Sequence, residues 1–552
     1  MVSSSAPGNS GGKLVIGLRS EPRTFNPAIA VDQVSVGIMS RTMADLIHIN
    51  RATQKTEPAL ANSWTVSKDG TIFTLKLRRG IQFSDGAHFD ADDVIFSFKV
   101  YLDEKVHSPH RDLLMVSNKP IQVRKLDQYT VRFTFPSPYA PLERLFDTLP
   151  MLPRHLLEKD YQEGKIAEAW GLNTPPDKIA GLGAFRLKEF VPGQRVVLER
   201  NPYYWKVNAK GQKLPYLDQL TFLITPSQDA QVVRFEAGDT QIITGLSSEN
   251  FAALESQQST RHFKLYDAGP GLEYNFLMFN LNDDTTKYPE VARKQKWFRD
   301  TRFRQAVSSA IDRAAITRLV YGGRAAPLST HISPGNKLWF DSAIPAPVHS
   351  VEKAKELLKS AGFSWNSGGS LLDNSGQPVE FTILVSSSNA QRGRMATLIQ
   401  DDLKQVGITA HVVPMEPRAA ADRVLNTHEY DATIMGIASG DTDPNSDNNI
   451  FLSSGGTHLW HLGEKTPATP WEAEMDRLLD QQLVTLDYQR RKKLYDRALQ
   501  IEATQLPLIY LVAPNVLVGA QDGLGNFHPA VLEQYTFWNA EELFWRTPAG
   551  KQ

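Results

Sequence analysis

The sequence predicts an α/β protein of two doubly wound lobes with an added α+β unit, and three stretches predict it. Residues 379–436 read strand–helix–strand–helix–strand with short connections. Residues 220–266 show the same order of elements without repeating the sequence. Residues 42–179 are hairpin-rich instead. Alternating strands and helices over short links imply a parallel sheet wound by right-handed crossovers, in which small ligands bind beyond the carboxyl ends of the strands.

Taken in order, Lys13–Leu18 is a strand, and two prolines in Ser20-Glu-Pro-Arg-Thr-Phe-Asn-Pro27 exclude helix after it. A helix is expected over 38–47. Strands at 64–66 and 71–77 flank the hairpin signal Lys68-Asp-Gly70, and Asp90 is placed to cap a helix over 91–102. A second hairpin pairs 121–125 with 130–135. From Gly181 onward come strands at 186–190 and 196–199, then the series 220–225, 228–237, 240–244, 248–256 and 262–266. Asp267-Ala-Gly-Pro-Gly-Leu272 is a hinge candidate, followed by a strand over 273–280. Helices are expected at 303–311 and 314–320, stopped by Gly322-Gly323, and at 351–360, stopped by Gly362. In the 379–436 core, apolar Met395, Leu398, Ile399, Leu403 and Val406 recur at helical spacing, and Gly407 ends that helix. Residues 471–504 are mostly helical, and 506–512 form an apolar strand expected to cross back to the first lobe.

At 552 residues the chain exceeds one core and predicts two or three domains. A hydrophobic fraction of 41% and a charged fraction of 22% are those of an ordinary globular protein. A net charge of -1 supplies no electrostatic case for nucleic acid or an anionic membrane. With no cysteine there is no disulfide, thiolate metal site or cysteine nucleophile. No run of about 18 apolar residues predicts a membrane span. Residues 1–12 lack a basic region and an apolar core, and read as a disordered tether after a processed export signal.

Enzyme motifs are largely missing. Gly181-Leu-Gly183 comes nearest to a dinucleotide loop, but Arg186 stands at the third glycine position. Asp441, Asp443, Asn445 and Asp447 resemble the start of a calcium loop, yet Ser446 replaces its glycine and Leu452 its glutamate. His458 and His461, with Glu464 beyond, and His107 with His110, read as surface histidines, because a metal needs three or four convergent ligands. No catalytic residue, cofactor or metal ligand is assigned. Tyr204, Trp205, Tyr274, Phe276 and Trp460 are candidate pocket aromatics, with core packing as the ordinary reading.

Several segments together resemble family 5 extracellular solute-binding proteins of ABC importers, the dipeptide- and oligopeptide-binding group. They are Glu57-Pro-Ala-Leu-Ala-Asn-Ser-Trp64, Phe73-Thr-Leu-Lys-Leu-Arg-Arg-Gly80, Phe83-Ser-Asp-Gly86 and Ala91-Asp-Asp-Val-Ile-Phe-Ser-Phe98. Later come Arg304-Gln-Ala-Val307, Ile311-Asp-Arg313, Glu352-Lys-Ala-Lys-Glu-Leu-Leu358 and Pro507-Leu-Ile-Tyr510. The resemblance implies a two-lobed periplasmic-binding-protein-like clamshell (type II, cluster C) with an extra α+β domain. Lobe I would comprise 13–41, 180–267 and 505–552, the extra domain 42–179, and lobe III 268–504.

The implied function is capture of a peptide or peptide-like solute in the interlobe cleft and delivery to a membrane permease. The protein would be a monomer outside the cytoplasm, with lipid anchoring left open. Alternatives are a non-peptide solute such as an oligosaccharide or metal chelate, a hydrolase on a similar scaffold, or a receptor that reuses the clamp. Expected ligand contacts are backbone groups of the 24–27 segment, with Thr24 and Asn26, and of Tyr274, Asn275 and Phe276, together with Arg392, Gly440 and Asp441. Peptide-binding members of the family carry an acidic residue at the position of Gly440, with Asp441 its neighbour here. Pro417 and Ile437 likewise stand where those members often have tryptophan.

Overall fold

Alternation buries Leu14 and Ile16 and turns Lys13 outward, so Lys13–Leu18 takes an inner place in an eight-stranded mixed sheet. In this computed structural model, which describes residues 1–3, 5–116, 119–147, 149–282, 288–532 and 536–546, the chain divides into two units. Residues 1–266 with 517–552 form the first and 267–516 the second.

This eight-stranded sheet runs Phe185–Val191, Arg195–Arg200, Gln219–Ile224, Lys13–Leu18, Ile242–Ile243, Val512–Gln521, Phe263–Pro270, with Ala325–Pro327 pairing off that path to Val512–Gln521 as the eighth strand. Lys13–Leu18 pairs in parallel with Gln219–Ile224 on one side and Ile242–Ile243 on the other. The series expected over 220–266 is therefore interleaved by strands from both ends of the sequence. The helix expected at 38–47 is Gln33–Thr42, capped by Asp32, whose carboxylate accepts the Ser35 N–H.

A four-stranded antiparallel sheet, Ala61–Val66, Ile72–Leu77, Thr130–Thr134, Gln122–Asp127, belongs to the first unit. The helix Ala91–Leu102 lies with it, started by a reciprocal capping box between Asp90 and Asp93 that is worth about 1 kcal/mol. Phe98 and Phe133 meet edge to face at 4.9 Å in its core. Within 1–12, read as a disordered tether, several backbone groups of the described residues are bonded. Ser3 and Gly11 donate N–H bonds of 2.8 Å to Val207 and Tyr216. Such pairing uses peptide groups, so a Ser/Gly composition carries no sign of it.

The second unit is built on a five-stranded sheet ordered Thr409–Met415, Glu380–Ser386, Ala432–Ala438, Glu273–Phe279, Leu508–Tyr510. The first three strands are parallel, as their helical crossovers require, and the last two add antiparallel. The helix Ala390–Gln405 packs Met395, Ile399 and Leu403 into the core, and Gly407 at φ 85° follows it. Phe279 stacks on Phe298 at 4.5 Å, and both meet Phe381 edge to face.

One expectation changes here. Leu508–Tyr510 completes the second unit's sheet, and the return to the first unit comes later, within Val512–Gln521, so 505–516 are not part of lobe I. The outward passage lies within Phe263–Pro270, a continuous strand covering most of the hinge candidate. Among the described residues no helix is long and apolar enough to cross a membrane.

Candidate functional site

In the second unit the sequence-predicted residues Asn275 and Arg392 do meet. Asn389 caps the helix Ala390–Gln405 by accepting the Arg392 N–H, which sets the arginine on the first turn. From there Nε donates to Asn275 Oδ1 at 3.0 Å and Nη2 to Glu273 Oε1 at 3.1 Å. Glu273 and Asn275 are two apart on one strand and so share a face. Across the ladder Asn275 lies opposite Gly436, and a Cβ at 436 would collide with the Arg392 guanidinium. Arg392 and Glu273 keep side-chain exposures of 21% and 35%, so the pair offers both a cationic and an anionic edge to a solute. Glu273 was missed from the sequence, where it reads only as the first residue of a strand.

Tyr274 and Phe276 follow the core-packing reading of their side chains. Both side chains are wholly buried in the core. Their strand is an inner one, with Tyr274 and Phe276 laddered to Ile437 and Met435 and Phe276 also to Tyr510. Pairing with Ala432–Ala438 runs the whole strand, whereas pairing with Leu508–Tyr510 covers only Phe276 to Met278.

The acidic loop after Ala432–Ala438 separates its carboxylates. Asp443 forms a buried bidentate pair with Arg491, both N···O distances 2.7 Å, and also caps Asn445. Asp447 accepts from Ser439 Oγ at 3.1 Å and is buried. Asp441, half-buried, accepts the Thr442 N–H at 2.6 Å. Gly440 is exposed, and a Cβ there would meet nothing within 4 Å. Asp441 and Asp443 are therefore not a cooperating acid and base, because Asp443 is committed to its arginine.

In the first unit the side chains of Thr24 and Asn26 serve the fold. Asn26 Nδ2 donates to the carbonyls of Ile166 and Ala169 at 2.6 and 3.1 Å, and Oδ1 accepts the Ala28 N–H. Thr24 Oγ1 accepts the Asn26 N–H at 3.0 Å. Nearby lies a cavity of about 210 Å³, lined by Pro27, Met39, Asp45, His48, Tyr204 and Trp205 among others. Burial, reinforced by Asp147, pushes the Asp45 carboxyl well above the usual range. Burial also acts to raise Asp147, but Arg51 and His48 overcome it and hold that carboxylate well below the usual range. The two carboxyl groups of this region are thus pushed in opposite directions. Of the candidate aromatics, Tyr204 and Trp205 line this cavity, whereas Trp460 joins Tyr274 and Phe276 in the second core.

Gly181 and Gly183 have a structural role. Any Cβ on them would strike the backbone of residues 41–43, and Gly183 N–H donates to Thr42 O at 2.9 Å. His458, read as a surface residue, has no exposure at all, and His461 is buried too. Among the described residues the groups that converge closely enough to hold a metal are Asp45, His48 and Asp147, and His458, Glu464 and Glu472; the 441–447 carboxylates are in neither.

Comparison with known proteins accounts for the architecture. Residues 55–458 match the family described as bacterial extracellular solute-binding proteins, family 5 Middle. A probable ABC transporter-binding protein of Deinococcus radiodurans is 28% identical over 90% of this chain and 85% of its own length. The oligopeptide-binding protein AppA of Bacillus subtilis is 25% identical over 94% of this chain and 90% of its own. The crystal structure of the ABC transporter substrate-binding protein CtaP of Listeria monocytogenes superposes with a TM-score of 0.78 at 24% identity, covering 98% of this chain and 100% of that one.

Proposed function

We propose that this chain, which belongs to the family 5 bacterial extracellular solute-binding proteins, captures a peptide or peptide-like solute and hands it to the membrane permease of an ABC importer. The observation that carries the reading is the match over 55–458, with relatives aligned over nearly their full length. The oligopeptide-binding name of the Bacillus subtilis relative supports a peptide class of solute. In the structure, the half-exposed Arg392–Glu273 pair supports the same reading, since a peptide carries an amine and a carboxylate that complement it. The protein acts outside the cytoplasm as a monomer and breaks no bond in its solute.

One observation favours a second reading. Gly440 leaves open the place where an acidic grip on a peptide amine would stand, which suits a solute without a free amine, such as an oligosaccharide or metal chelate.

Native mass spectrometry of the purified chain, followed by thermal-shift screening of di- to nonapeptides, oligosaccharides and metal chelates, separates the two. A peptide that raises Tm and is recovered unchanged supports the first reading. Stabilisation by sugars or chelates alone selects the second, and chemical turnover of any bound solute would overturn both.

A further inference from the structure

The loop that connects Asn448–Phe451 to Pro470–Val484 is held against the end of the Glu273–Phe279 strand. Leu281 N–H donates to Trp460 O at 3.0 Å, and Leu462 N–H to Asn282 Oδ1 at 2.6 Å. This anchoring turns His458 inward, against the Trp460 ring at a centroid distance of 4.0 Å. We infer that His458, Glu464 and Glu472, with His461 as a fourth donor, form a closed structural site for a divalent transition-metal ion of the zinc class.

Spacing is the first argument. His458 Nε2 stands 3.2 Å from Glu464 Oε2 and 4.0 Å from Glu472 Oε1, and His461 Nδ1 is 3.3 Å from the same Glu464 oxygen. Four ligands at about 2.0 Å from a tetrahedral ion lie about 3.3 Å from one another. The His458–Glu464 and His461–Glu464 separations match such an edge, and the donor atoms of His458, Glu464 and Glu472 all lie within 4.8 Å of one another.

The tautomer is the second argument. His458 Nδ1 is 3.0 Å from Ile450 O, and a carbonyl can only accept, so Nδ1 carries the hydrogen. In neutral imidazole, Nε2 then presents a lone pair. It is fully buried, no hydrogen bond reaches it, and it faces a carboxylate oxygen. Two electron-rich atoms in that relation need a cation between them. An imidazole held by a backbone carbonyl through its other nitrogen is also the arrangement that orients metal-bound histidine.

The surroundings fit the same role. Trp460 Nε1 donates to Glu472 Oε1 at 3.2 Å and Thr469 Oγ1 to Glu472 Oε2 at 2.7 Å, which fixes that carboxylate. Two imidazoles and two carboxylates favour zinc-class ions over calcium or magnesium, which take oxygen ligands. Four protein donors leave no open position for chemistry, so the ion pins the loop.

The test uses the full chain, stripped with a chelator and dialysed, then titrated with Zn²⁺ by calorimetry and analysed for bound metal by mass spectrometry. The expected result is one zinc per chain and a Tm raised by Zn²⁺. His461→Gln and Glu464→Gln should weaken binding by more than about 100-fold, beyond the range for outer-shell partners. Should either variant fail to fold, Co²⁺ bound to the wild-type chain decides the matter through its tetrahedral visible bands. Absence of stoichiometric metal, octahedral cobalt bands, or zinc binding unchanged in folded variants would overturn the assignment, the first leaving a proton shared between His458 and Glu464.

Discussion

The guanidinium of Arg392 occupies the space that any side chain at position 436 would need, so Arg392 and Gly436 are a single structural choice. The glycine lets the arginine lie across the ladder onto Asn275 and Glu273. Gly436→Ala should therefore displace Arg392 and cost about 1–3 kcal/mol of stability, the usual penalty of overpacking. Urea denaturation would measure it, and an unchanged midpoint with unchanged solute affinity would show that Arg392 can move aside freely.

Asp441 and Asp443 should respond to different degrees to loss of the carboxylate. Asp443→Ala leaves Arg491 charged and buried beside Trp339, for a loss of about 3–5 kcal/mol. Asp441→Ala should cost about 1 kcal/mol, the loss of the bond it accepts from the Thr442 N–H. If Asp441 holds the amine of a solute, the same change weakens that solute by about 1–3 kcal/mol. Calorimetric titration with the best ligand from the screen reads this directly.

Position 440 offers a gain-of-function experiment. Because a Cβ there meets no neighbour, Gly440→Asp should fold with near wild-type stability. Its new carboxylate should tighten binding of amine-bearing peptides and leave N-acetylated ones unaffected. Equal effects on both forms would remove position 440 from amine recognition.

His331 gives the second unit a pH dependence. Both its Nδ1 and its backbone N–H reach Glu502, at 2.9 Å for each nearest contact, while Tyr495 Oη meets Nε2 at 2.7 Å. Burial acts to lower its pKa, but the Glu502 carboxylate outweighs burial and raises it above the ordinary value. A pKa raised on folding stabilises the protein most below the unfolded value of about 6.5, and that contribution fades as pH climbs through the folded value. Denaturation of wild type and His331→Gln should therefore differ most at pH 6 and less at pH 9. A difference that grows with pH would contradict the assignment.

Local rules made much of this legible. Asp90 ahead of an apolar stripe marked the helix Ala91–Leu102, and the Met395–Leu403 periodicity marked Ala390–Gln405, because capping and amphipathicity act within a few residues. Arg392 and Asn275 could be named as candidates from their places at a helix start and a strand start. Glu273 could not, since its role depends on a partner 119 residues away. His458 was misjudged for a related reason. Histidine spacing in a loop does not show that the loop is pinned under Trp460 and Asn282.

The sequence by itself determined the class of fold and the family, through hydrophobic period, caps and a string of short motifs. Tertiary structure alone decided which strands lie side by side, placing Lys13–Leu18 between Gln219–Ile224 and Ile242–Ile243. It also decided which polar groups are already committed, such as Asp443 to Arg491 and Asn26 to Ile166, and which remain open, such as the space around Gly440. The physical reason is range. Helix and turn propensities are settled between neighbours, whereas burial, ion pairing and steric room are settled by residues that only folding brings together.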